Sequence, residues 1–200
     1  MNGREPMLLE AANYLCRRPN APITDIAAAL GVSRATLHRH FAGRDELLHA
    51  VSGRATEQLH VAISTARLME GSAVEALRRF VTCLEDRAPF LSFLHSLRHD
   101  DASALLPESW KESDAAIRGI FERGQRSREF TTALTAVWMT EVFYDLVAGA
   151  AWAVRNGRCA KRDFVASVTR TILLGTIEDE GAFTSSRSSV PGSISPRWAK

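Results

Sequence analysis

Cysteine is scarce in this chain: only Cys16, Cys83 and Cys159 occur, an odd number at wide, unpatterned spacing. That pattern excludes a disulfide framework or a Cys-x-x-Cys site and fits reduced thiols in a cytoplasm. Each thiol is expected to act as a small core hydrophobe rather than a redox switch. No run of about 18 apolar residues occurs, so no helix should cross a membrane and no membrane partner is expected. The N-terminal stretch carries Arg4, Glu5 and Glu10 and lacks the apolar core of a secretory signal. A phosphate-cradling Gly-rich loop and a Gly-x-Ser-x-Gly turn are missing, so neither catalysis nor a cofactor is expected. Alternating polar and apolar runs of useful length are absent, as is any internal repeat, which argues against strands and solenoids. The net charge of +2 is too small to argue for nucleic acid by itself.

What is present is helix. With 46% hydrophobic residues, the 200-residue chain can bury a good core as one or two domains. A first helix is expected to open at Pro6, carry Leu8, Ala11, Ala12 and Leu15 on one face, and end near Arg18-Pro19. A long helix is expected from Asp45 to Leu68, with Leu47, Leu48, Val51, Leu59 and Ile63 buried and Gly71-Ser72 as its break. Further helices should run from Ala73 to Arg87, from Pro89 through Leu97, and from Pro107 to Gln125. The most apolar helix is expected from Thr132 to Arg155, ended by Asn156-Gly157, and the last from Lys161 to Glu178. From Gly181 the composition shifts to serine and proline, so residues 181–200 are expected to be a disordered tail.

Residues 26–48 carry the most information. Ile26, Ala27 and Leu30 give a short helix an apolar face, Gly31 ends it cheaply, and Ser33 is a favoured N-cap for the next. In that next helix Leu37 and Phe41 point inward, which turns Arg34, Ala35, Thr36, His38, Arg39 and His40 mostly outward. No acidic residue occurs from Arg34 to Arg44. A helix basic outside and apolar inside suits the DNA major groove. A further helix starts directly after Phe41, its positive end matched by Asp45 and Glu46, which leaves Arg44 free to reach a phosphate.

Here the chain resembles the tetracycline-repressor (TetR) family of bacterial transcriptional regulators. The resemblance rests on Ile26-Ala27, Gly31-Val32-Ser33, Thr36-Leu37, His40-Phe41 and Arg44 to Leu48 followed by Val51, within about the first 55 residues. Two departures stand out. His38 occupies the place where the family commonly has a phosphate-touching tyrosine, and Pro22 stands where a serine or threonine often caps the helix. Thr24 in the same turn is the expected substitute for the lost backbone contact.

The expected organisation is all-α: a helix-turn-helix DNA-binding domain over residues 1–52 and a helical effector-binding and dimerisation domain over 53–180. Arg34, Ala35, Thr36 and Arg39 are the expected base readers. His38, His40, Thr24 and Arg44 are expected at the DNA backbone, with a half-buried place beside Phe41 as the plain alternative for His40, and Ser33 is counted with the DNA-binding residues. The helix holding Leu134, Val137, Leu146, Ala150 and Val154 is apolar on more than one stripe, which marks an interface. Family members dimerise through their last two helices, so Phe164, Val168 and Ile172 join these residues in an expected twofold homodimer. The middle helices hold many large side chains: Phe80, Cys83, Leu84, Phe90, Phe93 and Leu94, then Trp110, Phe121, Trp138 and Phe143. They read plainly as core. The resemblance implies that they enclose a small, mostly apolar effector, oriented by His95, Glu141, Tyr144 and Asp145. Two rivals remain. His95 and His99 lie one helical turn apart before Asp100-Asp101, a spacing that can hold a metal in a sensor or metalloenzyme. A helical adaptor would leave the Arg34–Arg44 face idle.

Overall fold

The apolar periodicities fold into helices alone, and no strand occurs among the described residues, which in this computed structural model are 3–97, 106 and 108–176. The helices are α1 (Arg4–Leu15), α2 (Ile23–Ala29), α3 (Arg34–His40), α4 (Arg44–Ala66), α5 (Ala73–Leu84), α6 (Ala88–Ser96), α7 (Trp110–Arg126), α8 (Ala136–Arg155) and α9 (Phe164–Thr176). α1 begins two residues before Pro6, because a proline in the first turn gives up an N–H that has no helical partner anyway. Its buried stripe of Met7, Leu8, Ala11, Ala12 and Leu15 packs against α4 and α6. α6 packs against α1, α4 and α8, and α4 against α1, α5, α6 and α7.

Boundaries moved where a cap outcompeted periodicity. α4 stops at Ala66 rather than Leu68, because Arg67 takes a left-handed conformation (φ 48°). That strained turn is held by Arg79, whose guanidinium donates to the carbonyls of Ala66 (2.8 Å), Arg67 (3.0 Å) and Glu70 (2.6 Å). Ser72 and Glu75 then form a reciprocal capping box at the start of α5. α5 ends at Leu84, short of the expected Arg87, since Pro89 has no N–H to continue the ladder to Glu85 and sits instead in the first turn of α6, where that N–H is not needed. α8 starts at Ala136 rather than Thr132, with the Thr135 hydroxyl accepting from the Trp138 N–H at 3.1 Å. α7 begins at Trp110, past the expected Pro107, and a 3-10 turn over Lys161–Asp163 precedes α9. The tail from 181, like His99 to Asp101, Pro107 and Ile177, lies outside the described residues.

α7, α8, α5 and α9 enclose an aromatic interior. Phe80 stacks on Phe143 at 5.8 Å between centroids, and Phe121 meets Phe143 at 6.2 Å and Phe130 at 5.8 Å. Phe130 folds so tightly over Gly124 that a Cβ there would overlap its ring. All of these rings are buried, each contributing about 1.5–3 kcal/mol by leaving water. The expected boundary at residues 52 and 53 falls within the continuous helix α4, which joins the first helices to the rest.

Candidate nucleic-acid interface

α2 and α3 meet in a tight turn built on Gly31. Gly31 adopts φ 67°, a conformation costly for any residue with a Cβ. It allows the Gly31 and Val32 N–H groups to return to the carbonyls of Ala28 and Ala27, both at 3.0 Å. Ser33 caps α3, its hydroxyl accepting from the Thr36 N–H at 3.0 Å and pairing with the Thr36 hydroxyl at 2.9 Å. Ile26, Ala27 and Leu30 are buried below, and so are Leu37 and Phe41. Arg34, Ala35, His38 and Arg39 are exposed above them, with Thr36 and His40 half-buried at the edges. The His40 ring stands 6.3 Å from that of Phe41.

The outward side chains are not loose. Arg34 donates from Nε to His38 Nε2 at 3.3 Å, and His38 Nδ1 lies 3.2 Å from the Ala42 carbonyl. Arg39 donates from Nη2 to the Thr36 hydroxyl at 3.3 Å. Before α2, Pro22 is the cap residue itself (φ −68°, ψ 156°) rather than part of the first turn, and offers no side-chain cap. Its carbonyl accepts from Asp25 and Ile26 N–H at 3.0 and 3.1 Å. Thr24 is exposed in that turn, donating to Asp25 at 3.3 Å.

Arg44 corrects the sequence reading. Far from being a free arm, its half-buried guanidinium donates from Nε to the Ala21 carbonyl (3.0 Å) and from Nη2 to the Pro19 carbonyl. It ties the α1–α2 connection to the start of α4. The short Pro-rich connection left carbonyls without helical partners, and a guanidinium fork satisfies two at once.

The residues expected around an effector divide. Phe80, Leu84, Phe90, Phe93, Leu94, Trp110, Phe121 and Phe143 are buried together, and Cys83 is half-buried at their margin. Trp138 does not join them and is 57% exposed. Met139, Phe143 and Val147, spaced by four, define the inner face of α8, and Trp138 lies about 100° around from Met139. The four polar groups expected to orient a ligand are together at the α6–α8 contact. His95 Nε2 lies 3.1 Å from Glu141, its ring 4.8 Å from that of Tyr144, and its Nδ1 3.9 Å from Asp145. Tyr144 donates to Asp114 at 2.9 Å. A cleft of about 340 Å³ opens beside them, lined by Cys16, Arg17, Ser92, His95, Ser96 and Asp145. Burial pushes the Cys16 thiol up, which keeps it protonated and unreactive. No group of three metal-ligating side chains occurs among the described residues, and His99 lies outside them.

The expected interface residues also divide. Leu134 and Val137 are exposed, and Leu146, Ala150 and Val154 half-buried. Phe164, Val168 and Ile172 are instead buried within the protomer, because this stripe of α9 faces α5 and α8. The outer apolar surface is completed by residues that sequence reasoning did not assign there: Trp138, Val142 and the 84% exposed Leu174. Between α8 and α9 runs a groove of about 210 Å³ lined by Leu134, Trp138, Met139, Val142, Leu146 and Ile172. Leu174 was legible, since it lies out of phase with the Phe164–Val168–Ile172 stripe.

Residues 20–51, which hold α2, α3 and the start of α4, match the family model described as bacterial regulatory proteins of the tetR family. Over 173 residues the chain is 30% identical to the HTH-type transcriptional regulator NfxB of Pseudomonas aeruginosa, covering 86% of this chain and 92% of that one. It is also 30% identical over 155 residues to the HTH-type transcriptional repressor LfrR of Mycolicibacterium smegmatis, covering 77% of this chain and 80% of that one. The crystal structure of LfrR superposes with a TM-score of 0.63 at 27% identity, covering 88% of this chain and 96% of that one. A second structure of LfrR, in complex with proflavine, superposes with a TM-score of 0.58 at 28% identity, covering 88% and 98%.

Proposed function

The chain belongs to the TetR family of DNA-binding bacterial transcriptional regulators, and from that premise we propose that it is a ligand-responsive repressor that binds a palindromic operator as a homodimer. The observation that carries the reading is the outer face of α3: Arg34, Ala35, His38 and Arg39 stand exposed, with no acidic residue, on a helix seated by buried Leu37 and Phe41. Arg34, Ala35, Thr36 and Arg39 read bases. Ser33, Thr24 and His40 flank them toward the phosphates. One such helix makes too few contacts to select a site in a genome, whereas two related by a twofold axis read two half-sites.

The second copy docks on α8 and α9 through Leu134, Val137, Trp138, Val142 and Leu174. Apolar surface of this kind on a small domain favours a covered state. Residues 1–52 act as the reading head and 53–180 as the effector and dimer domain. The effector is small and mostly apolar and enters the aromatic interior by parting rings such as Phe80 and Phe143. A ligand that binds only the parted arrangement shifts the population toward one spacing of the two heads. That the relative LfrR is solved in complex with the small molecule proflavine supports this reading.

The test is binding of purified protein to the DNA flanking its own gene, against random DNA, over a salt series. Tight binding to a palindromic site, with specificity lost in an Arg34→Ala, Thr36→Ala double variant, is the expected result. Equal, weak and salt-sensitive binding to every sequence would refute a sequence-reading role for α3.

A further inference from the structure

We propose that His38 is a positioning residue for DNA reading, holding the Arg34 guanidinium by its Nε so that Arg34, and not His38, meets the DNA. The inference rests on the operator-reading role proposed above for α3. His38 stands one helical turn after Arg34, and both side chains are exposed on the same face. The Ala42 carbonyl can only accept, so His38 Nδ1, 3.2 Å away, carries a proton and donates to it. In the neutral ring Nε2 then keeps its lone pair, and Arg34 Nε, 3.3 Å away, donates to it. Ala42 is itself anchored from its other side, its N–H donating to Glu46 Oε2 at 2.6 Å. The result is one directed chain, Arg34 to His38 to Ala42, fixed at the start of α4.

Two consequences separate this from a phosphate contact. An imidazole with both nitrogens engaged has no donor left for a phosphate oxygen. Arg34, by contrast, has only Nε committed, which leaves its two terminal nitrogens for the bidentate grip on guanine O6 and N7. Arg39 is held differently, through a terminal nitrogen on Thr36, so one of the two nitrogens of its end-on fork is already shared with a hydroxyl. Arg34 is therefore the guanine reader, and it enters the groove already ordered, losing less rotamer freedom on binding.

The experiment takes the full-length protein through selection from a randomised duplex library. The selected duplex and its single-base variants are then titrated at several salt concentrations. Arg34→Ala is expected to flatten the preference at one base pair in each half-site. His38→Phe should flatten the same pair, by roughly tenfold, with the salt slope unchanged. His38→Gln, whose amide oxygen can accept from Arg34, should restore it. Two results overturn the inference: a His38→Phe protein that weakens on every duplex alike while its salt slope drops by about 1, the mark of a phosphate contact, or one that discriminates as well as the parent. A parent that enriches no sequence removes the operator reading itself, and this inference with it. Both variants are at an exposed position, and far-UV circular dichroism checks that their helices persist.

Discussion

Side-chain chemistry at Arg44 shows how a residue can be read correctly in kind and wrongly in use. A cation at a helix start after α3 suggests a phosphate arm, but its Nε and Nη2 are held by the Ala21 and Pro19 carbonyls. Those carbonyls were invisible in the sequence, because a short connection rich in proline does not reveal which of its peptide groups lose their partners. Charged donors on half-buried carbonyls are worth about 1.5–3 kcal/mol. Arg44→Ala is therefore expected to lower unfolding stability by about 1–2 kcal/mol in denaturant titrations, with the salt slope of DNA binding unchanged. A slope reduced by about 1, with stability intact, would return Arg44 to the phosphates. His38 illustrates the converse. Its exposure was legible from the spacing of Leu37 and Phe41, but its bonds to Arg34 and Ala42 needed coordinates.

Helices were legible through their apolar stripes, and their ends through whichever caps are local in sequence. Gly31, Ser33 and the Asn156-Gly157 stop are local signals. Glu129 is not: its carboxylate accepts from the Ala73 and Val74 N–H groups, both at 3.1 Å, capping α5 from more than 50 residues away. Desolvation pushes its carboxyl up, but hydrogen bonds from Ser127, Val74 and Ala73 outweigh that and hold it below the ordinary carboxylate range. A depressed folded-state value stabilises the fold above the ordinary range, and this stability is lost as pH falls through the folded value. Glu129→Gln should therefore cost up to about 1 kcal/mol at neutral pH, discounted for partial exposure. The gap to the parent should close in acid. Thermal melts of both proteins from pH 7 down to pH 3 check it, and a gap that widens in acid would contradict the capping role.

For the molecule as a whole, the decisive surface is the α8–α9 face. Its exposed Leu134, Val137, Trp138, Val142 and Leu174 are proposed to meet a second copy. Trp138→Glu with Leu174→Glu is expected to give a folded monomer by analytical ultracentrifugation at micromolar concentration. Affinity for a two-half-site duplex should fall at least roughly tenfold. A dimer that survives both charges would move the interface elsewhere. The sequence by itself determined the all-α class, the helix-turn-helix and the family, because helical periodicity, a turn glycine and an N-cap act within a few residues of one another. Only the tertiary structure decided which stripe of α9 is core, that Trp138 faces outward, and that Arg44 is a clamp. Each of these depends on which neighbour reaches a group first, and those neighbours lie far away along the chain.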